Sequence, residues 1–425
     1  MKNRIAGMCL AVSLALALPL RAQDSVATLA GQVLISGSTN GSSTNALFND
    51  PAAVVADPAG NLLVADSQNH AIRKITTHGL VTTLAGQLGV PGRGDETGAQ
   101  ARFDSPCGLA MDKDGTLFVS DTGNHTIRKI TPTGAVATIA GRAGQSGFAD
   151  GPSSAAMFNS PLGLAVAANG TIYVADSGNH LIRAISPGGF VTTLAGRAEN
   201  WGSEDGSGTN ARFNGPVGLA LDEQENLFVA DSNNHTIRKI TPEGTVSTWA
   251  GVSGVDGCRD GDAQSARFCK PAELAMDRKN NLFVADSFNH LIRKIARDGK
   301  VSTVTGAAGS SGAADGINGQ ARLFNPYGLA IRPDGSLVVT DAYNELIRMV
   351  LVPFDLSIRA TNDAVTISWD GIIGKRYQVQ YKRALDSSAW TNSGQPITAA
   401  SPIVGQTDHN LGPGTQRIYR VIVVE

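Results

Sequence analysis

"VADSFNHLIRKI", residues 284–295, sets a carboxylate, an imidazole and two cations within twelve residues. Taken alone, Asp286 and His290 have the look of a catalytic pair. The stretch has five relatives, however: "VADSQNHAIRKI" (64–75), "VSDTGNHTIRKI" (119–130), "VADSGNHLIRAI" (174–185), "VADSNNHTIRKI" (229–240) and "VTDAYNELIRMV" (339–350). The aspartates Asp66, Asp121, Asp176, Asp231, Asp286 and Asp341 stand 55 residues apart. Gly31, Gly86, Gly141, Gly196, Gly251 and Gly306 keep the same step, as do Pro51, Pro106, Pro161, Pro216, Pro271 and Pro326. A fixed period of this length is the mark of a repeat architecture.

Each period holds four short β-like runs. In the fourth they are "VGLALD" (217–222), "NLFVAD" (226–231), "TIRKI" (236–240) and "TVSTWAG" (245–251), separated by Gly, Pro, Asn and Asp. The second run is apolar at four consecutive positions, Leu227 to Ala230, so both of its faces must be covered. Tandem four-stranded units covered on both faces predict an all-β fold, a β-propeller of six blades over 25–350. The sixth unit lacks a clear fourth strand after Val350, whereas "SVATLAG" (25–31) is a fourth strand with no unit before it. Supplying the last blade from the N-terminus would close the ring and leave no bare sheet edge. "DLSIRAT" (355–361) competes for that place, but only 25–31 keeps the terminal glycine.

The recurrent "P-x-G-L-A … L-F-V-A-D-S-x-N-H-x-I-R-K-I … T-x-A-G" resembles the NHL repeat, spelled out at Asn179-His180-Leu181 and Asn289-His290-Leu291. The resemblance covers 26–350 and implies a six-bladed propeller. It implies no single activity, since such domains bind proteins or RNA, act as sensors or, occasionally, as lyases.

Six blades set His70, His125, His180, His235 and His290, with Glu345 in the sixth copy, one sixth of a turn from their neighbours. That separation exceeds the ~2 Å reach of a metal ligand, so they cannot share one ion. The aspartate and asparagine bracket a turn, where such side chains bond backbone amides. These repeat residues are expected to be structural.

Function is expected in the long connections, such as the nineteen residues of 87–105, and at positions that break the pattern. The connections carry Asp95, Asp150, Asp205, Asp260 and Asp315, with Asn40 in the first, and Arg102, Arg212, Arg267 and Arg322 follow seven residues later. Turn formation and ion pairs between neighbouring blades account for them. The "RGD" at 93–95 uses the same loop aspartate, so no adhesion role follows. Glu273 replaces a glycine (Gly108, Gly163, Gly218, Gly328) at the mouth of the inner strand. Lys270 is close in sequence, Tyr327 lies at the next mouth, and Trp201 stands in a loop where the other copies are smaller. These four are the candidate ligand-binding residues.

At the N-terminus Lys2 and Arg4 precede an apolar run from Ala6 to Leu20, and Ala22 ends it. The run is too short to span a bilayer comfortably and predicts a signal peptide over 1–22 that is cleaved, giving a secreted or periplasmic protein with no membrane insertion. Loss of Lys2, Arg4 and Arg21 would take the net charge from −2 to −5. That charge argues against nucleic acid as a partner. Cys107, Cys258 and Cys269 would remain, and a local bridge between Cys258 and Cys269 is left open.

After Pro353 the period stops. "AVTISWD" (364–370), "RYQVQYKR" (376–383), "AWTNSG" (389–394) and "QRIYRVIVV" (416–424) resemble a fibronectin type III-like β-sandwich over 354–425. The expected function is therefore that of a monomeric, non-catalytic extracellular scaffold that binds a protein, peptide or glycan, with no cofactor and no metal. The alternative is a metal-dependent enzyme, lactonase- or lyase-like, at the central channel. It would need a converging donor set, and the inner strands offer Glu273 as their lone internal carboxylate.

Overall fold

The structure, a computed structural model, describes residues 25–317 and 319–351, and further on 356–360, 364–370, 376–383, 389–400, 403–409 and 417–424. The leader segment 1–22 lies outside the described residues. Chain contacts divide the protein into Gln23–Val352 and a unit holding Pro353–Glu425.

The first unit is built of six antiparallel sheets, numbered I to VI here in chain order. Sheet IV shows the plan: Pro216–Leu221 is innermost, followed outward by Leu227–Asp231, Thr236–Ile240 and Thr245–Ala250, with the two residues Gly206–Ser207 on the outer edge. The second strand is buried along its whole length, as its unbroken apolar run requires. Its neighbours in the ring supply the cover, because side chains of adjacent sheets interlock into shared apolar clusters. Sheet II has four strands, and a single bridge between Thr97 and Ala135 stands in for the edge piece.

Innermost strands touch in cyclic order, Pro326–Ile331 of sheet VI returning to Pro51–Ala56 of sheet I. The last sheet is completed by the N-terminus: Ser25–Gly31 pairs with Leu346–Leu351, from Ser25 opposite Leu351 to Gly31 opposite Leu346. The competing segment lies elsewhere, since Leu356–Ala360 pairs with Val365–Asp370 in the C-terminal unit.

The repeat motif is the joinery of these sheets. In sheet IV, Asp231 Oδ1 accepts the Asn214 amide at 2.7 Å, and Oδ2 accepts from Asn234 Nδ2 and from Arg238 Nη1, both at 2.8 Å. Asn234 Nδ2 also donates to the Gly202 carbonyl at 2.6 Å, so the asparagine serves a carbonyl and not an amide as expected. Arg238 is fully buried over the Phe213 ring, and its other arm reaches Asp205 at 2.7 Å. This corrects the expected loop pairing: Asp95, Asp150, Asp205, Asp260 and Asp315 pair with the repeat arginines Arg128, Arg183, Arg238, Arg293 and Arg348. Arg102 instead donates to the carbonyls of Ala99, Gln100 and Ala101, because its short chain segment curls back on itself. The "RGD" aspartate is thereby occupied by Arg128 and Thr138. Burial pushes the six repeat aspartates up to about 6, against the pull of their arginine, asparagine and amide donors.

Each repeat histidine closes its turn in the left-handed conformation, His290 at φ 60° for example. Its Nδ1 then accepts a main-chain amide of the next sheet: His70 from Ser105 at 3.1 Å, His125 from Ser160, His180 from Gly215, His235 from Lys270 and His290 from Asn325. An accepting Nδ1 requires the neutral ring with its proton on Nε2. Burial favours that form, lowering the pKa of His125, His180, His235 and His290.

The C-terminal unit, by itself, is antiparallel β. Leu356–Ala360, Val365–Asp370 and Ile403–Asp408 form one sheet, and Arg376–Lys382 is the centre of another with Thr391–Asn392, Ile397–Thr398 and Ile418–Val424. Its core gathers Ile367, Trp369, Tyr377, Val379, Ala399 and Val404, with the Trp369 and Tyr377 rings 5.8 Å apart.

Candidate functional site

The innermost strands leave a central cavity of about 380 Å³, lined by residues of all six sheets. Glycine recurs at the third position of these strands because they nearly touch there. A Cβ on Gly108, Gly163, Gly218 or Gly328 would meet the carbonyl oxygen of Leu162, Val217, Ala272 or Ala52 on the next strand. Glu273 occupies this position in sheet V and is the one ionisable side chain among the lining residues. Its Oε1 accepts two main-chain amides, Leu274 at 3.1 Å and Leu219 of the preceding sheet at 3.3 Å. Burial raises its pKa to about 7, and the two amides pull it back only in part.

Tyr327 stands one position earlier on the strand of sheet VI and packs in one apolar cluster with Leu162, Val217 and Ala272 of three other sheets. Burial, and then the proximity of Cys107, Glu273 and Asp50, push its phenol upward, so it stays neutral. The structure thus brings Tyr327 and Glu273 together and adds Cys107, which sequence reasoning passed over. Cys107 is half-buried, with Sγ 3.5 Å from Ser67 Oγ, and burial pushes its thiol up as well. The only signal for it was a cysteine where the other inner strands carry Ala, Leu, Val or Tyr.

Lys270 does not join this group. Its Nζ donates to Asn233 Oδ1 at 2.5 Å, on the turn of sheet IV, from a left-handed backbone (φ 50°) that the equivalent residues of the other sheets share. Cys258 and Cys269 stand unbridged in the structure, the state their spacing left undecided. The Gly257 amide bonded to the Phe268 carbonyl aligns the two arms, yet Cys258 is exposed while Cys269 lies 3.9 Å from Asp256 Oδ2.

The long connections and the turns after the second strands share one face. Leu34, Gly89, Gly144 and Gly254 each donate a main-chain bond to the turn of the preceding sheet, at Asn344, Asn69, Asn124 and Asn234. Trp201 projects from this face at 65% exposure, with Phe288 at 57% and Tyr343 at 53%. Phe324 stacks edge-on with Tyr343 at 5.2 Å and with His290 at 5.6 Å. The three phenyl side chains were missed in the sequence, although Phe288 and Tyr343 replace Gln, Gly or Asn and Phe324 replaces Asn, Asp or Cys. Among the described residues no group of three or more His, Cys, Asp or Glu is placed to hold a metal ion.

Fold and joinery together define an all-β, propeller-like protein that carries NHL repeats. The NHL repeat family matches residues 48–75, 103–130, 158–185 and 213–240. These windows lie in sheets I to IV, whereas Glu273, Phe288, Phe324, Tyr327 and Tyr343 belong to sheets V and VI. The chain is 31% identical over 275 residues to Protein SUPPRESSOR OF QUENCHING 1, chloroplastic, of Arabidopsis thaliana, covering 61% of this chain and 26% of that protein. It is 29% identical over 305 residues to NHL repeat-containing protein 2 of Bos taurus, covering 63% and 42%. The chain therefore spans well under half the length of these relatives. Among solved structures it is similar to a protein of unknown function from Bacteroides thetaiotaomicron, with a TM-score of 0.61 at 23% identity over 77% of this chain and 76% of that one. An auxiliary nutrient binding protein from the same organism gives 0.60 at 15% identity over 77% and 76%. At such identities the likeness is one of fold.

Proposed function

We propose that this chain is an exported, non-catalytic six-bladed β-propeller that binds a protein, peptide or glycan through its loop face, with a fibronectin type III-like sandwich following. The observation that carries this reading is the exposure of Trp201, Phe288 and Tyr343 on the one face where loops and turns meet. Large rings held in solvent offer flat apolar area at low entropic cost, the usual material of binding anchors. The fold does not call for them, since the equivalent positions elsewhere are small or polar. Export is supported by the charged and apolar leader ending at Ala22. A propeller-like neighbour that is an auxiliary nutrient binding protein is compatible with a binding role.

The test uses the mature chain and a variant combining Trp201→Ala, Phe288→Ala and Tyr343→Ala, both screened on one defined glycan array and one peptide library. The wild type is expected to retain a ligand class that the variant loses while keeping its melting temperature. Equal retention by the two proteins would remove the loop face from consideration. N-terminal sequencing of the exported protein should begin at Gln23.

A further inference from the structure

Glu273 reveals a property of the channel that its own sequence position does not advertise. One carboxylate oxygen sits between the amides of Leu219 and Leu274, which are the same position in successive sheets. Main-chain amides at this level therefore point into the channel and not into the sheet. The pairing of inner strand with second strand is the same there in every sheet: Val54 opposite Val64, Leu109 opposite Val119, Leu164 opposite Val174, Leu219 opposite Val229, Leu274 opposite Val284 and Leu329 opposite Val339. The register that turns Leu219 and Leu274 inward turns the other four inward too. Among the described residues no side chain accepts from the amides of Val54, Leu109, Leu164 or Leu329.

Sheets VI, I, II and III are consecutive in the ring, so these four donors form an unbroken arc across the channel from Glu273. Main-chain N–H groups that face one channel and are engaged by no described side chain can make an anion site, and hydrogen bonds to an ionised acceptor are about twice as strong as neutral ones. Glu273 shows which group suits the spacing, because neighbouring amides close on a single carboxyl oxygen. Cys107 and Tyr327, two residues upstream of arc members on their strands, add no negative charge, since burial keeps both in their neutral forms.

We propose that the amides of Leu329, Val54, Leu109 and Leu164 form a carboxylate-binding arc in the channel, which takes a small free carboxylate opposite the chain's own Glu273. This site is separate from the loop face and does not depend on that reading. It predicts further that Glu273 is a tethered occupant, and that removing its side chain frees two more donors.

The experiment is a titration of the mature protein, labelled with ¹⁵N-leucine, with sodium acetate and, at matched ionic strength, with sodium chloride. Acetate is expected to shift the amide resonances of Leu109, Leu164 and Leu329 saturably. Glu273→Gly installs the residue that four other sheets carry, and it should bind acetate about tenfold tighter, roughly the worth of one charge-assisted hydrogen bond. Unmoved leucine resonances in the wild type would overturn the site, whether or not the variant folds. Equal shifts with chloride would overturn its assignment to a carboxylate. Unchanged acetate affinity in a folded Glu273→Gly would overturn the tethered-occupant account.

Discussion

Glu345 Oε2 accepts the main-chain amide of Asp50 at 2.7 Å across 295 residues of chain, at the junction where the ring closes. The other five junctions use a histidine nitrogen for the same bond. The closing carboxyl is partly buried and lies near Asp50 and Asp66. Burial first, and then those two charges, raise its pKa to about 7, against the pull of the Asp50 amide. A carboxyl whose folded pKa exceeds its unfolded one binds extra protons when folded, so its contribution to stability is full at low pH and lost as pH rises through about 7. Glu345→Gln keeps an acceptor without the charge. Its melting temperature should match the wild type below about pH 4.5, pull ahead as pH rises from there to about 7, and hold a constant lead above. A constant difference across the range would show that Glu345 does not titrate there.

The buried pairs set the strength of each sheet. Asp231→Ala would leave the Arg238 guanidinium fully buried with one carboxylate lost, which should cost about 3–5 kcal/mol in denaturant unfolding. A loss below 1 kcal/mol, roughly that of an exposed pair, would mean that Asp205 alone satisfies the arginine.

Ring closure rests on Ser25–Gly31. Deleting 25–31 strips the partner from Leu346–Leu351 and bares a sheet edge. The expected outcome is a sharply lower melting temperature together with light scattering from association. An unchanged melting curve would place the closing strand elsewhere.

Close approach of the inner strands makes Gly218→Ala destabilising, since the new methyl meets the Ala272 carbonyl and the Glu273 backbone. Roughly 1–3 kcal/mol is expected, measured by chemical denaturation. Ala53, which fills the same position in sheet I, should tolerate replacement by glycine with little change.

Thiol titration of the mature protein should count three free groups under denaturing conditions without reductant. In the native state the exposed Cys258 should react fastest. Cys107 should react slowest, because burial and a raised pKa keep it protonated. Finding one thiol in place of three would restore the bridge between Cys258 and Cys269.

The period of 55 residues, the four runs per unit and the orphan strand at 25–31 were sufficient to read the all-β repeat and the order of strands. Such features recur in every unit, and periodicity reports whatever all copies share. Tertiary structure alone decided the partnerships between units. It gave Asp95 to Arg128 and not to Arg102, sent Lys270 to Asn233 and away from Glu273, and left Cys258 and Cys269 unbridged. It also set the amides of Leu219 and Leu274 on one oxygen of Glu273. The physical reason is that a hydrogen bond has a reach of about 3 Å and a direction, and residues 33 to 54 positions apart meet within that reach only after the sheets have closed around one axis.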